Sequence, residues 1–179
     1  LIEPRPVLVP FKSQTITQLN LRGQSLKASV KVGKKVVLEE VLFTHKGLSG
    51  PAILKASLFW RAGDKVTINW VPNIEEEELK KSLFQPGNHM TFGSLLKENL
   101  PKKCLEAFLK NTNLTADKRV QETSKKERQK VLEILFRYSF IPDGTEGFRK
   151  AEATAGGVET KEVCPQTMES QIQKGLYFI

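Results

Sequence analysis

The residue pattern of this chain changes twice, and these changes limit the folds that it can adopt. Residues 26–32 alternate apolar and polar side chains, Gly33 and Lys34 suit a two-residue hairpin turn, and residues 36–43 return as a second strand. The second strand is apolar enough to predict cover on both of its faces. Residues 65–71 alternate again, so the first part of the chain is predicted to be mostly β.

Helical signals replace the alternation at Asn73. Asn73 and Glu76 have the spacing of a capping box, and the acids that follow precede lysines as the helix dipole favours. Residues 91–99 and 101–110 predict two further short helices.

A second capping box, Ser124 with Glu127, predicts a fourth helix, which the pattern ends at Pro142. Apolar residues recur along these helices at helical spacing. Such stripes indicate a packed core and not a cofactor site.

Residues 143–179 return to glycine-rich loops and strands. Because neither β portion has enough strands to be stable alone, the two are predicted to pair. The sequence therefore predicts an α+β fold, in which a β-barrel-like unit of residues 1–72 and 141–179 carries a helical subdomain of residues 73–140. The first residue is not methionine and the last residues form an apolar strand, so we expect a segment of a longer protein.

The segment Phe43–Pro51, with the sequence Phe-Thr-His-Lys-Gly-Leu-Ser-Gly-Pro, predicts a strand, a glycine-containing loop and the start of a helix. Such a loop leaves backbone N–H groups unpaired, and proline is tolerated in the first helical turn because its missing N–H costs nothing there. This place can receive an anion or the polar edge of a ligand. An ordinary strand-to-helix turn explains the same residues equally well.

Three later segments are also distinctive short motifs: Thr-Ala-Gly-Gly-Val at residues 154–158, Thr-Met-Glu-Ser at residues 167–170 and Gly-Leu-Tyr-Phe at residues 175–178. Together with residues 43–51, in this order, they resemble the middle of a bacterial flavoprotein family. These are the BaiN-like FAD-dependent oxidoreductases, to which an aminoacetone oxidase is related. The opening Pro-Arg-Pro-Val-Leu-Val-Pro fits too, so the resemblance runs over residues 4–178.

The resemblance implies the insert, or cap, domain between two halves of an FAD-binding domain. Its expected role is to cover the flavin and shape the site of a small-molecule substrate. The Gly-x-Gly-x-x-Gly turn that cradles the FAD pyrophosphate does not occur in these 179 residues. FAD is therefore expected in the intact parent enzyme, and this segment alone is expected to hold no FAD and to be inactive.

The resemblance also assigns candidate residues. The substrate-binding candidates are His45, Gly47, Leu48, Ser49 and Gly50. The candidates that approach the cofactor in the intact parent are Thr154, Ala155, Gly156 and Gly157. His45 can bind substrate or move a proton, or it can tie its loop to a backbone carbonyl. Ser49 can also cap the helix that follows, and the glycine pair can simply form a tight turn.

Composition favours a globular protein, with 39% apolar and 27% charged residues and no apolar run long enough to cross a membrane. Cys104 and Cys164 are too far apart for a metal motif, so no metal is expected and a reduced, cytoplasmic setting is predicted. Cys104 lies in a helical apolar pattern and is predicted to be buried.

The net charge is +8, and many of the lysines come in pairs along the chain. A basic module that binds RNA or DNA without catalysis is the alternative function. The dispersal of the lysines, and the lack of aromatic residues among them on a strand, favour a solvated surface and argue against a nucleic-acid partner.

Overall fold

The structure is a computed structural model that describes residues 1–110 and 112–179. Its first portion contains, in chain order, β1 (Ile2–Val7), β2 (Phe11–Lys12), α1 (Gln14–Thr17), β3 (Ser25–Val32), β4 (Lys35–Phe43), β5 (Gly47–Ser49), α2 (Pro51–Ser57) and β6 (Val66–Asn69). The helical portion contains α3 (Glu76–Phe84), α4 (Phe92–Leu96), α5 (Lys102–Leu109), a 3₁₀ turn (Val120–Glu122) and α6 (Lys125–Phe136). The last portion contains β7 (Tyr138–Phe140), β8 (Gly144–Thr145), β9 (Ala153–Gly157) and a 3₁₀ turn (Thr160–Glu162).

The strands form one large antiparallel sheet and one small one. The large sheet has the order β7-β6-β3-β4-β5-β2-β8, and β1 pairs separately with β9. The ladders β2–β8, β6–β7 and β1–β9 join the start of the chain to its end. In the described residues the large sheet is not closed, because its edge strands β7 and β8 do not pair with each other. The predicted α+β architecture is confirmed.

The inner face of the large sheet carries the core. Leu26, Ala28, Val30 and Val32 alternate along β3 and are all buried, as the period-two pattern of the sequence predicts. Helix α2 packs against β3 and β4.

An aromatic cluster joins the helices to the sheet. The ring of Trp70, just after β6, stacks on Phe108 of α5 with centroids 4.8 Å apart and on Phe43 of β4 at 5.4 Å. Tyr138 packs on Trp70 at 5.7 Å from the start of β7. The helical portion and the sheet therefore share one continuous apolar core. The division into two subdomains stays a prediction, and β7 already lies within the predicted helical range.

The outer face of β4 differs from its prediction. Val36, Leu38 and Leu42 are 59%, 50% and 38% exposed, so the strand is not covered on both faces. Helix α2 packs on the face of β4 to which Glu39 points. The ion pair between Lys55 of α2 and Glu39, with 2.5 Å between Nζ and Oε1, lies on this face. Among the described residues, no helix or strand covers the opposite face.

Two predicted helix boundaries are also wrong. Helix α3 begins at Glu76 with Glu75 at the N-cap position, and no side chain caps it. The predicted box does not form because the Glu76 carboxylate pairs with the Arg137 guanidinium at the end of α6 instead of reaching back to Asn73. Helix α6 ends at Phe136 and not at Pro142, since the residues after it pair with β6.

The predicted capping box at α6 is confirmed. The backbone N–H of Glu127 donates to Ser124 Oγ at 3.2 Å, and the backbone N–H of Ser124 donates to Glu127 Oε2 at 2.7 Å. Every helix among the described residues is too short or too polar to span a bilayer.

Candidate functional site

The segment that contains His45 forms a tight turn between β4 and β5. Thr44 Oγ1 accepts hydrogen bonds from the backbone N–H groups of Lys46 at 3.2 Å and Gly47 at 3.1 Å. The turn is fixed to the end of β2 by the hydrogen bond from Ser13 N to Lys46 O, 2.8 Å long. The N–H groups of Thr44, Lys46 and Gly47 are therefore paired within the protein, and these three do not contribute to the open cradle that the sequence suggests.

The glycines of this segment have a packing explanation. A Cβ atom on Gly47 would lie 2.3 Å from the carbonyl oxygen of Phe11, and one on Gly50 would lie 2.8 Å from that of Glu40. Both residues also have positive φ, at 152° and 90°. Glycine is required at both positions because neighbouring strands approach closely.

The remaining candidates of this segment have different environments. Leu48 is fully buried in the core, so its side chain is not available to a ligand. Ser49 does not cap α2, whose N-cap residue is Gly50 and which has no side-chain cap. His45 is exposed, and among the described residues its side chain makes no hydrogen bond. The structural tie to a backbone carbonyl, which is the alternative for His45, is therefore not formed.

The second group of candidates lies on β9. In the ladder with β1, Thr154 is opposite Pro6, Ala155 is opposite Arg5 and Gly157 is opposite Ile2. The register shifts between these pairs, and a Cβ atom on Gly156 would lie 2.4 Å from the carbonyl oxygen of Glu3.

Gly157 differs from Gly156. It has a φ of 106°, and no atom lies within 4 Å of the place where its Cβ would be. This flank of the strand is open.

A groove of about 620 Å³ lies beside β1 and β9, and we call it the β1–β9 groove. Its lining residues include Ile2, Arg5, Trp60, Arg61, Thr145 and Gly156. Arg5 shapes one wall, because its guanidinium donates to the carbonyl oxygens of Leu58 at 2.6 Å and Ser57 at 3.3 Å. Partial burial, and then the nearby guanidinium of Arg61, lower the pKa of Arg5.

His45 lines a different, smaller cavity of about 240 Å³ with Arg22 and Phe43. The two groups of candidates are linked through β8. Lys46, next to His45, pairs with Glu146 with 3.0 Å between Nζ and Oε2, and the preceding Thr145 lines the β1–β9 groove.

A second groove of about 730 Å³ lies on the outer face of the large sheet, and we call it the sheet groove. Its lining residues are Ser29, Lys31, Val32, Gly33, Val36, Phe59, Asp64, Lys65, Thr67, Asn69, Phe136, Arg137 and Ser139. None of the candidate residues predicted from the sequence lies on this face. The alternation of residues 26–32 carries the signal, because it places Lys27 and Lys31 on the face opposite the buried residues.

The two cysteines have different environments. Cys104 is fully buried as predicted, and burial raises the pKa of its thiol. Cys164 is half-buried, and hydrogen bonds from the side chain and backbone of Thr167 lower the pKa of its thiol. In the part of the chain that the structure describes, no three histidine, cysteine or acidic side chains are grouped so that they could hold a metal ion.

Comparison with known families assigns the fold. Residues 5–153 match the family described as "HI0933-like protein barrel and H2TH domain". The chain belongs to this family. The match confirms the predicted resemblance, and it makes this chain a domain of a flavoprotein family.

Three relatives carry functional names. Ribosomal RNA dihydrouridine synthase of Haemophilus influenzae is 35% identical over 181 residues, covering 99% of this chain and 45% of that protein. The Escherichia coli K12 protein of the same name is 36% identical over 144 residues, covering 80% and 36%. The 3-dehydro-bile acid delta(4,6)-reductase of Clostridium scindens is 25% identical over 186 residues, covering 96% and 46%. The chain thus spans less than half the length of these relatives.

Proposed function

We propose that this chain is the insert domain of an FAD-dependent oxidoreductase that reduces uridine in ribosomal RNA. The carrying observation is the uneven distribution of charge. Residues 1–72 contain eleven lysines and arginines against four acidic residues, a net charge of +7, whereas residues 73–140 contain thirteen against ten and residues 141–179 contain four against six. A basic sheet portion favours a polyanionic substrate.

The relatives favour the same substrate. The two that are at least 35% identical to this chain are named ribosomal RNA dihydrouridine synthases. RNA therefore replaces the small-molecule substrate that the sequence motifs alone suggest. The two earlier alternatives, a flavoprotein insert domain and a basic RNA-binding module, are then the same domain.

The reaction needs one hydride and one proton. Conversion of uridine to dihydrouridine saturates the C5–C6 bond of uracil, so one carbon receives a hydride and the other a proton. The reduced flavin supplies the hydride when it is bound to the parent enzyme, since hydride transfer is the cofactor's chemistry. The insert domain excludes water from this site and positions the base.

Residues of this chain fit an edge contact with the flavin and not a complete FAD site. The open flank at Gly157 leaves room for a flat group beside β9, whereas the pyrophosphate motif is not among these 179 residues. In this proposal, Thr154 to Gly157 lie on the flavin side of the domain. His45 contacts the base or donates the proton, because its side chain is exposed and unengaged within the described residues.

A small-molecule reductase is the second candidate. It is favoured by the Clostridium scindens relative, a 3-dehydro-bile acid delta(4,6)-reductase, which aligns with 96% of this chain at 25% identity. The partly apolar β1–β9 groove, with Ile2 and Trp60 in its lining, suits such a substrate.

The test uses the intact flavoprotein with its flavin reduced. Deproteinised ribosomal RNA from a strain that lacks the gene is incubated with the enzyme, digested to nucleosides and examined by mass spectrometry. The expected product is dihydrouridine, with two hydrogens more than uridine. Ribosomal RNA that gains no dihydrouridine, together with turnover of an unsaturated steroid ketone, would replace the RNA proposal by the second candidate.

A further inference from the structure

We infer that the part of the outer sheet face formed by β3, β6 and β7, along the sheet groove, is the docking surface for the phosphodiester backbone of the RNA. The inference rests on the proposed function. It adds to that function the surface, the contacting groups and the path that the RNA takes across the domain. The face has three properties that a partner of this chemistry requires: unpaired positive charge, hydrogen-bonding groups along its floor and an exposed aromatic ring.

Two lysines of the sheet groove have no ion pair. Lys31 of β3 and Lys65, just before β6, are exposed and have no ion-pair partner among the described residues, whereas Lys27 stands opposite Glu40 in the β3–β4 ladder. Asp64 is the acid in the lining of the sheet groove, and its carboxylate accepts the backbone N–H of Arg61 at 2.8 Å. Free lysines beside phosphates release counterions and supply the sequence-independent part of RNA affinity.

Several lysines and arginines elsewhere are already paired. Lys102 Nζ lies 2.8 Å from Asp117 Oδ1 on the helical portion, and Lys118 Nζ lies 3.7 Å from Glu127 Oε1. Arg137, at the edge of the sheet groove, is held by Glu76. The helical portion also carries ten acidic residues against thirteen lysines and arginines, so its charge balance, more than the number of its ion pairs, favours β3 and β6 as the place for phosphates.

The floor of the groove is polar. Ser29, Thr67, Asn69 and Ser139 lie on adjacent strands, with 3.0 Å between the hydroxyl oxygens of Thr67 and Ser139. Hydroxyl and amide groups hydrogen-bond both to phosphate oxygens and to the ribose 2′-hydroxyl. These groups lie on β7, β6 and β3, so an RNA that binds along them would cross these three β-strands.

An exposed ring flanks the same groove. Phe59 is 42% exposed, and Lys35 Nζ lies 5.6 Å from its ring centroid. Because Lys35 lies over one face of this ring, an unpaired base would stack on the other face.

The loop after α2 indicates the path of the RNA from the sheet groove to the β1–β9 groove. In this loop Phe59 faces the sheet groove, whereas Trp60 and Arg61 line the β1–β9 groove. The two grooves therefore adjoin across residues 59–61. An RNA strand that docks on the sheet is led by this loop toward β9, on the side of the domain that the proposed function assigns to the flavin.

The experiment measures RNA binding and turnover with the intact flavoprotein. The test variant is Lys31→Glu/Lys65→Glu, and the control is Lys97→Glu/Lys103→Glu, which makes the same change in charge on exposed residues of the helical portion. Binding is followed by fluorescence anisotropy with a labelled single-stranded RNA at several salt concentrations. All four lysines are exposed, so both variants are expected to keep the melting temperature of the parent.

We expect the test variant to raise Kd about tenfold or more, and to reduce the slope of log Kd against log salt by about 1.5, because each lost phosphate contact removes about 0.7–0.9 of slope. KM for ribosomal RNA should rise with kcat unchanged. Phe59→Ala should weaken binding about fivefold or more, whereas Phe59→Tyr should bind RNA as the parent does, because tyrosine keeps the aromatic ring.

The possible failures are distinguishable. A parent enzyme that forms no dihydrouridine in ribosomal RNA and binds no RNA overturns the proposed function. A parent enzyme that is active on RNA and is matched by Lys31→Glu/Lys65→Glu overturns the docking surface alone. A loss that is equal or larger in the helical control assigns the RNA to the helices, and also overturns this surface.

Discussion

At the scale of single residues, the glycines of the Phe43–Pro51 segment show how a functional signature and a packing requirement can coincide. Gly47 is buried between two backbones, and its added Cβ would meet the carbonyl oxygen of Phe11 at 2.3 Å. Phe11 lies far from Gly47 in the sequence, so the residues around Gly47 do not indicate this contact. A glycine that serves packing cannot be told from one that serves a ligand without the neighbouring strand.

Gly47→Ala is expected to lower the free energy of unfolding by about 2 kcal/mol or more, because the methyl group meets rigid backbone and the residue has positive φ. Urea denaturation of the 179-residue chain measures this effect. Gly63→Ala is the control, since its φ is 90° with open space around the Cβ position, and it should cost only about 1 kcal/mol. Equal losses in the two variants would show that the contact with Phe11 does not matter.

At the scale of elements, the N-terminal cap of helix α6 consists of Ser124 and the carboxylate of Glu127. Ser124→Ala is expected to lower the free energy of unfolding by about 1 kcal/mol at neutral pH. Hydrogen bonds from the backbone and side chain of Ser124 lower the pKa of Glu127 below its ordinary 4.5. The contribution of Glu127 is therefore complete above that value, and it is lost as the pH falls through its lowered folded pKa.

The difference in stability between the parent and Ser124→Ala should accordingly narrow in acid. Thr91→Ala is the matched control, because Thr91 Oγ1 accepts the backbone N–H of Ser94 at 3.1 Å as the cap of α4 with no carboxylate partner. Its effect should stay constant with pH. A parallel pH dependence in the two variants would refute the role of Glu127.

The same scale shows which elements a sequence can predict. The β3–β4 hairpin and the cap of α6 depend on residues close in the chain, and the structure has both. The predicted capping box at Asn73 does not form, because Glu76 forms an ion pair with Arg137, which is distant in the sequence. Exposure of Val36 and Leu38 on β4 depends on which face α2 packs against, and the strand's own residues do not encode that choice.

At the scale of the whole molecule, the site could be predicted only in part. The candidates at residues 45–50 and 154–157 lie at two different grooves, joined through the pair of Lys46 with Glu146. The basic sheet face was missed because lysines that are dispersed along the chain gather only when β3 and β6 become neighbours. Charge clustering of this kind is a property of topology and not of sequence runs.

The isolated 179-residue chain is expected to be colourless and to show no flavin absorbance after purification. The reason is that the pyrophosphate-binding turn of a dinucleotide fold is not in this sequence. The absorption spectrum is compared with that of the intact flavoprotein, which should carry one FAD per chain. Stoichiometric FAD in the 179-residue chain would show that the cofactor site is complete without further segments.

His45 gives the last test of how the domain meets the flavin. Its turn is joined through the Lys46–Glu146 pair to β8, and Thr145 of β8 lines the β1–β9 groove. His45 itself lines the smaller neighbouring cavity, and the proposed function assigns it a contact with the reacting base because its side chain is exposed. His45→Ala in the intact enzyme should leave FAD content unchanged and lower kcat about 100-fold if the residue donates the proton, or raise KM if it only binds the base.

The control for this test is His89→Ala, which removes the other histidine, also exposed, from the irregular segment between α3 and α4. Both variants should keep the stability of the parent within about 0.5 kcal/mol, as exposed substitutions do. The separate effects on kcat and KM distinguish the two roles, because loss of a proton donor lowers kcat whereas loss of a contact with the base raises KM. Kinetics of His45→Ala that match those of His89→Ala would mean that this turn does not reach the substrate.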